Sequence, residues 1–145
     1  GRLTASSADG TDVASLRADP GGSGRIDLSD RGGTVMATMQ ARPEAGATLA
    51  LMTPTRQTAC ALAASATGGV LNLSNAQGVP VLVGGIAAGR SDGALSIANR
   101  RGIPVVTAGS TVGGAGQVVL NGEDGHRLLA LPQRFTSAAE QPVTD

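Results

Sequence analysis

Apolar and polar residues alternate along this chain in short segments that recur about every 23 residues. The clearest copies read GVLNLSNAQGVPVLVGG from Gly69 and GALSIANRRGIPVVTAG from Gly93. A fixed period in this range is typical of an array whose units pack on their neighbours. The pattern therefore predicts a repeat array over residues 1–131 and a polar tail or cap over 132–145. The copies begin at Gly1, Gly24, Ala47, Gly69, Gly93 and Gly116.

Apolar residues stand at the third and fifth positions of each repeat, with more polar neighbours between them. Period-two alternation of aliphatic residues predicts a short strand with one buried face. These positions are predicted to form the core of the repeats. The predicted core residues are Leu3, Ile26, Leu28, Leu49, Leu51, Leu71, Leu73, Leu95, Ile97, Val118 and Leu120.

A turn is predicted at the seventh to tenth positions of the repeat. In Asn75-Ala76-Gln77-Gly78, as in most copies, Asn, Asp or Ser stands first and Gly stands fourth. This order indicates a type I turn whose glycine takes a positive φ and re-enters the ladder through a bulge. The third copy has Arg56 at the glycine position, which predicts either a left-handed Arg56 or a different turn. The predicted turn glycines are Gly10, Gly33, Gly78, Gly102 and Gly125.

A second strand follows each turn, and a link rich in Gly, Ala and Ser leads to the next copy. Pro80 and Pro104 stand at the same position of this strand. Because proline has no N–H to donate, the chain is expected to bend there or to point that position away from a neighbour. The second strands are predicted to be centred on Val13, Met36, Ala59, Val81, Val105 and Leu128.

The predicted fold class is all-β, an elongated repeat array of hairpin or two-strand units. An isolated hairpin is marginally stable, so the repeats must stack on each other, pair with identical chains, or do both. One arrangement is a homotrimeric β-shaft, and the other is a single-chain β-solenoid. Phe135 is the sole aromatic residue of the 145. Small side chains can meet on a three-fold axis, which favours the trimer slightly.

The motif G-x-L-x-L-x-N-x-x-G-x-P-V runs from Gly69 to Val81 and, with Ile97 at the second Leu position, from Gly93 to Val105. It resembles the Gly-punctuated β-repeats of bacterial surface proteins and the β-helical shafts of phage fibres and spikes. The resemblance implies an elongated, frequently trimeric stalk, adhesin or filament component. It implies structural positions only, and no functional residue is carried over.

Charge and motif composition argue against most other classes of protein. Eleven basic residues balance eleven acidic ones, so no basic patch for nucleic acid is expected. No apolar run is long enough for a membrane span within this chain. The phosphate-loop motif needs a Lys, which the chain lacks. Gly21-Gly22-Ser23-Gly24 begins like a calcium repeat, but Ile26 stands where that motif needs Asp.

Candidate catalytic residues are equally sparse. His126, the single histidine, follows a turn glycine, and Cys60 stands among small apolar residues as a buried hydrophobe would. The acidic residues are scattered over turns rather than gathered as in a polysaccharide-cleaving site. We therefore expect no enzymatic activity, no catalytic or metal site and no cofactor.

These observations predict a structural, non-catalytic β-repeat shaft of a bacterial cell-surface stalk, filament or appendage. The alternative is an adhesin or phage-fibre-like binding module that recognises a glycan or another cell-surface partner. The expected partners are copies of the same chain, as a homotrimer or filament. The expected location is extracellular or on the cell surface, with any tether supplied by a region outside this sequence.

Overall fold

A computed structural model of the chain describes residues 1–43, 46–86, 92–111 and 114–132. Within these residues, twelve antiparallel strands form one open sheet, in which neighbours in the sequence are neighbours in the sheet. The predicted all-β fold is confirmed, and each repeat contributes two consecutive strands. The predicted tail falls, apart from Pro132, outside the described residues. The strands β1 to β12 are Arg2–Ser6, Asp12–Ala18, Gly24–Ser29, Val35–Arg42, Gly46–Met52, Thr58–Ser65, Gly68–Ser74, Pro80–Ile86, Gly93–Ala98, Pro104–Ser110, Gly116–Asn121 and Arg127–Leu131.

The turns inside the repeats share one hydrogen-bond pattern. In the fourth repeat the Asn75 N–H donates to the Val79 carbonyl at 2.9 Å, and the Gly78 N–H donates to the Asn75 carbonyl at 2.9 Å. The five predicted turn glycines have φ between 78° and 89°. The same pattern closes Asp19–Ser23 and Thr111–Ala115, two segments that the sequence pattern presents as links between repeats.

The turn of the third repeat keeps this form although it lacks the glycine. Arg56 has a φ of 65°, and its N–H donates to the Thr53 carbonyl at 2.8 Å. Of the two alternatives predicted for this turn, the left-handed Arg56 is therefore the one adopted.

We expect Arg56→Gly to stabilise the chain by about 0.5–1 kcal/mol. The substitution removes left-handed strain worth about 1–2 kcal/mol, less the extra freedom that glycine gives the unfolded chain. Urea unfolding followed by far-UV circular dichroism measures the difference. The control is Arg100→Gly, since Arg100 stands in a turn without a positive φ and should only lose stability. Equal changes in both variants would contradict the assignment of strain to Arg56.

Each repeat carries one β-bulge at the same place after its turn. In the fourth repeat Leu73 pairs with Leu82 and Ser74 pairs with Pro80, which leaves Val81 as the extra residue. The residues predicted as the centres of the second strands are in fact the second residues of those strands, so the prediction of their centres is wrong. Pro80 and Pro104 are the first residues of β8 and β10, where a missing N–H is tolerated. The extra residues are Val13, Met36, Ala59, Val81, Val105 and Leu128.

Candidate interaction surface

Two rows of apolar residues cross all twelve described strands on one face of the sheet. Residues directly opposite each other in paired strands share a face, so the register defines each row. We name them the Leu3 row and the Ala5 row, and together they form the apolar face. The Leu3 row is Leu3, Leu16, Ile26, Met39, Leu49, Leu62, Leu71, Gly84, Leu95, Ala108, Val118 and Leu131. The Ala5 row is Ala5, Ala14, Leu28, Ala37, Leu51, Cys60, Leu73, Leu82, Ile97, Val106, Leu120 and Leu129.

The apolar face is open to solvent in the single chain. Among the described residues no hydrophobic side chain is buried, and Leu28 and Leu62 remain 50% and 48% exposed. Water contact along such a surface is unfavourable by about 25 cal/mol for each Å². A contiguous apolar patch of this kind marks a surface that another molecule, or another part of the array, covers.

All eleven predicted core residues lie on the apolar face, where the structure brings them together in the first strands of the repeats. The pattern missed their partners in the second strands, such as Leu16, Met39 and Leu62. The bulge explains this, because one extra residue at the start of the strand shifts the alternation of faces. Counting onward from the bulge instead of the turn would have found these residues.

The turns inside the repeats stack in a column along one side of the sheet, at the ends of the strands. The Asn75 Oδ1 accepts from the N–H groups of Gln77 and Val79, both at 3.0 Å, and its Nδ2 donates to the Arg100 carbonyl of the next turn at 3.2 Å. Asn99 repeats this arrangement, with its Nδ2 at 2.9 Å from the Glu123 carbonyl. Each Asn therefore closes its own turn and ties that turn to the next repeat.

The predicted turn glycines lie in this column. A Cβ added to Gly102 would come within 3.0 Å of Val79 Cγ1, and one added to Gly125 would come within 3.3 Å of Ile103 Cγ2. The glycine of each of these turns thus packs against the last turn residue of the repeat before it. Besides the positive φ, the spacing between repeats favours glycine there.

The opposite face carries charged side chains on β1, β2 and β3. Asp27 is buried, 5% exposed, and accepts from Arg25 Nε at 2.8 Å and from Arg17 NH2 at 3.1 Å. Burial alone raises the pKa of Asp27, but the hydrogen bond from Arg25 and the charges of Arg25 and Arg17 outweigh it and lower that pKa below 3.8. Arg2 and Asp12 form a more exposed ion pair at 2.6 Å beside the same residues. The group lines a shallow cleft of about 440 Å³.

The remaining candidates of the sequence lie apart from one another. His126 is in an exposed turn, with its Nε2 3.7 Å from Asp124 Oδ2. Cys60 is a free thiol on the apolar face and is partly exposed rather than buried. In the described ranges no three His, Cys, Asp or Glu side chains lie close enough together to hold a metal ion.

No protein-family model matches the chain, and neither does any curated protein. The inference of function therefore rests on the apolar face and the charged cleft of the sheet. A search of the described segments for a helix long and apolar enough to cross a membrane finds none.

Proposed function

We propose that this chain is a structural, non-catalytic β-repeat shaft of a bacterial cell-surface stalk, filament or appendage, and that it assembles with copies of itself through its apolar face. The observation that carries the proposal is the pair of apolar rows running from Leu3 to Leu131 and from Ala5 to Leu129. Side chains that are core-like in type but exposed in the single chain call for a covering surface.

The order of the strands supports an elongated building unit. Twelve strands at about 4.8 Å apart give a sheet about 50 Å long in the direction of the repeats. Each repeat adds one hairpin to the end of the previous one, as in other quasi-one-dimensional arrays. Of the two arrangements predicted from the sequence, three chains around an axis would cover the apolar face with copies of the chain, whereas one chain closed on itself would cover it without them. The proposed function requires copies of the chain.

The proposal is tested by the mass and shape of the protein in solution and by its place in the cell. Sedimentation and negative-stain electron microscopy should show elongated oligomers, and surface labelling of intact source cells with an antibody should be positive. Leu82→Arg, on the apolar face, should prevent assembly, whereas the control Val83→Arg, on the opposite face, should assemble normally. A monomer at all concentrations, or a strictly intracellular location, would reject the shaft.

A second candidate function is an adhesin-like module that binds a glycan or another cell-surface partner. The cleft beside Arg2, Arg17 and Arg25 favours it, because among the described residues these three guanidinium groups share only the carboxylates of Asp12 and Asp27. Guanidinium groups recognise carboxylate or sulfate groups of acidic glycans through paired hydrogen bonds. Binding to an array of acidic glycans should be present and should fall in Arg2→Gln. Binding that is unchanged in this variant, or absent from the array, would exclude this cleft as the site.

A further inference from the structure

Side-chain size alternates from strand to strand on the apolar face. The first strands of the second to sixth repeats, β3, β5, β7, β9 and β11, each present two large aliphatic side chains. The second strands β2, β4, β6, β8 and β10 each present one large side chain and one small residue. The terminal strands reverse this order, since β1 carries Ala5 beside Leu3 and β12 carries both Leu129 and Leu131. The small residues of the second strands are Ala14, Ala37, Cys60, Gly84 and Ala108.

From this alternation we infer that two copies of the chain pack apolar face to apolar face, about a two-fold axis parallel to the strands between β6 and β7. The axis reverses the strand order, so that β1 faces β12, β5 faces β8 and β6 faces β7 of the second copy. Every facing pair of strands then brings together three large side chains and one small one. Even filling of this kind is what a close-packed interface requires.

Other symmetric arrangements do not fill the space evenly. An axis along the direction of the repeats would place each strand on its own copy, so that β5 would set four large side chains against one another. A three-fold shaft also brings equivalent strands to one level, with six large side chains at β5 and three at β8. Overfilled and underfilled layers in alternation would combine steric strain with cavities, and both cost stability.

Gly84 is the position that this pairing explains best. It lacks a positive φ, and an added Cβ would make only an ordinary contact at 3.5 Å with Leu95 Cδ1. Neither the backbone nor the single sheet therefore demands glycine in the middle of an apolar row. In the proposed pair Leu49 of the second copy lies over Gly84. Because Gly84 has no side chain, the Leu49 side chain has room to pack there.

The area available is sufficient for a specific dimer. Two rows across a sheet about 50 Å long and about 14 Å wide cover about 700 Å² on each copy. The pair would bury about 1,400 Å² in total, within the standard range for stable protein interfaces. The inference rests on the proposed function in so far as both require the chain to associate with itself.

The first test fills the space over Gly84. Wild-type protein should sediment at twice the 14.2 kDa of the chain. Gly84→Leu should raise the dimer dissociation constant by a factor of about 5 to 150, because that is the range over which overpacking typically weakens a well-packed interface. Gly84→Ala, with a smaller added group, should weaken the dimer less. Circular dichroism checks that both variants keep their sheet.

The second test restores the fit. Leu49→Ala combined with Gly84→Leu should return the dissociation constant most of the way to wild type, because Leu49 is the facing residue in this pairing alone. Leu82→Ala combined with Gly84→Leu should not. Rescue by the second combination, a trimeric mass, or no effect of Gly84→Leu would overturn the inference.

A third pair of variants separates this inference from the proposed function. Leu82→Arg should dissociate the dimer, whereas Val83→Arg, the next residue on the opposite face, should leave it intact. A trimer that dissociates with Leu82→Arg would overturn the face-to-face pair and leave the proposed shaft standing. A dimer as described here in a protein found only inside the cell would overturn the shaft and leave the pair.

Discussion

Gly46→Ala should cost the chain about 2–4 kcal/mol of unfolding free energy, from a steric clash that the strand cannot relieve and the strain of a positive φ. Gly46 opens β5 with a φ of 79°, and its backbone lies against the end of β6. An added Cβ would overlap the Ala64 carbonyl oxygen and lie 2.7 Å from its carbon. The obstacle is backbone rather than a side chain that could rotate away, so β5 and β6 must separate locally. Urea unfolding followed by circular dichroism measures the loss.

Gly24→Ala is the matched control for this prediction. Gly24 also opens the first strand of a repeat, but it lacks a positive φ and has nothing within 4 Å of an added Cβ. Its substitution should leave stability unchanged or raise it slightly, since alanine restricts the unfolded chain. Similar losses in the two variants would contradict a specific close approach at Gly46.

Asp27→Ala should destabilise the chain by about 1–3 kcal/mol, because it leaves Arg17 and Arg25 without their shared carboxylate. The lower part of that range applies if the two guanidinium groups turn to water, since their side chains are 40% and 28% exposed. Asp27→Asn keeps the shape and removes the charge, and it should lose part of this stabilisation. Thermal and urea unfolding at neutral pH measure both variants.

The same carboxylate makes stability depend on acid pH. The folded state lowers the pKa of Asp27 below 3.8, so its stabilising effect is complete above that pH and disappears as the pH falls through the lowered value. Asp27→Asn should therefore flatten the fall in stability below about pH 4. Asp12→Asn, at the more exposed pair with Arg2, should change it much less. Equal pH profiles for wild type and Asp27→Asn would show that the ion pair with Arg25 does not contribute.

The first strands and the main turns follow directly from the sequence, because both depend on local rules. Leu71 and Leu73 alternate with polar neighbours, and Asn75 and Gly78 stand where the turn requires them. The bulge after the turn hides the second strands from the same rules. Val81 interrupts the alternation, so the face that Leu82 and Gly84 share with Leu73 and Leu71 becomes evident only from the register.

One further turn was within reach of the sequence. Asp19-Pro20-Gly21-Gly22 has the residue order of the other turns, and Gly22 has a φ of 80°. The sequence pattern places this segment between two repeats, because each repeat is counted from its first strand. The ion pair of Asp27 with Arg17 could not have been predicted, because Arg17 belongs to the preceding repeat and contacts Asp27 only once β2 pairs with β3.

The pairing of each strand with its sequence neighbours alone has a genetic consequence. Within the described ranges, strand contacts join consecutive strands only. Recombination between similar repeats would therefore remove or insert two strands at a time without disturbing the register elsewhere. The number of strands would stay even. In the proposed two-fold pair, a shorter or longer chain could therefore still place the first strand of a repeat opposite a second strand of the other copy. The length of the sheet would then vary in steps of about 10 Å.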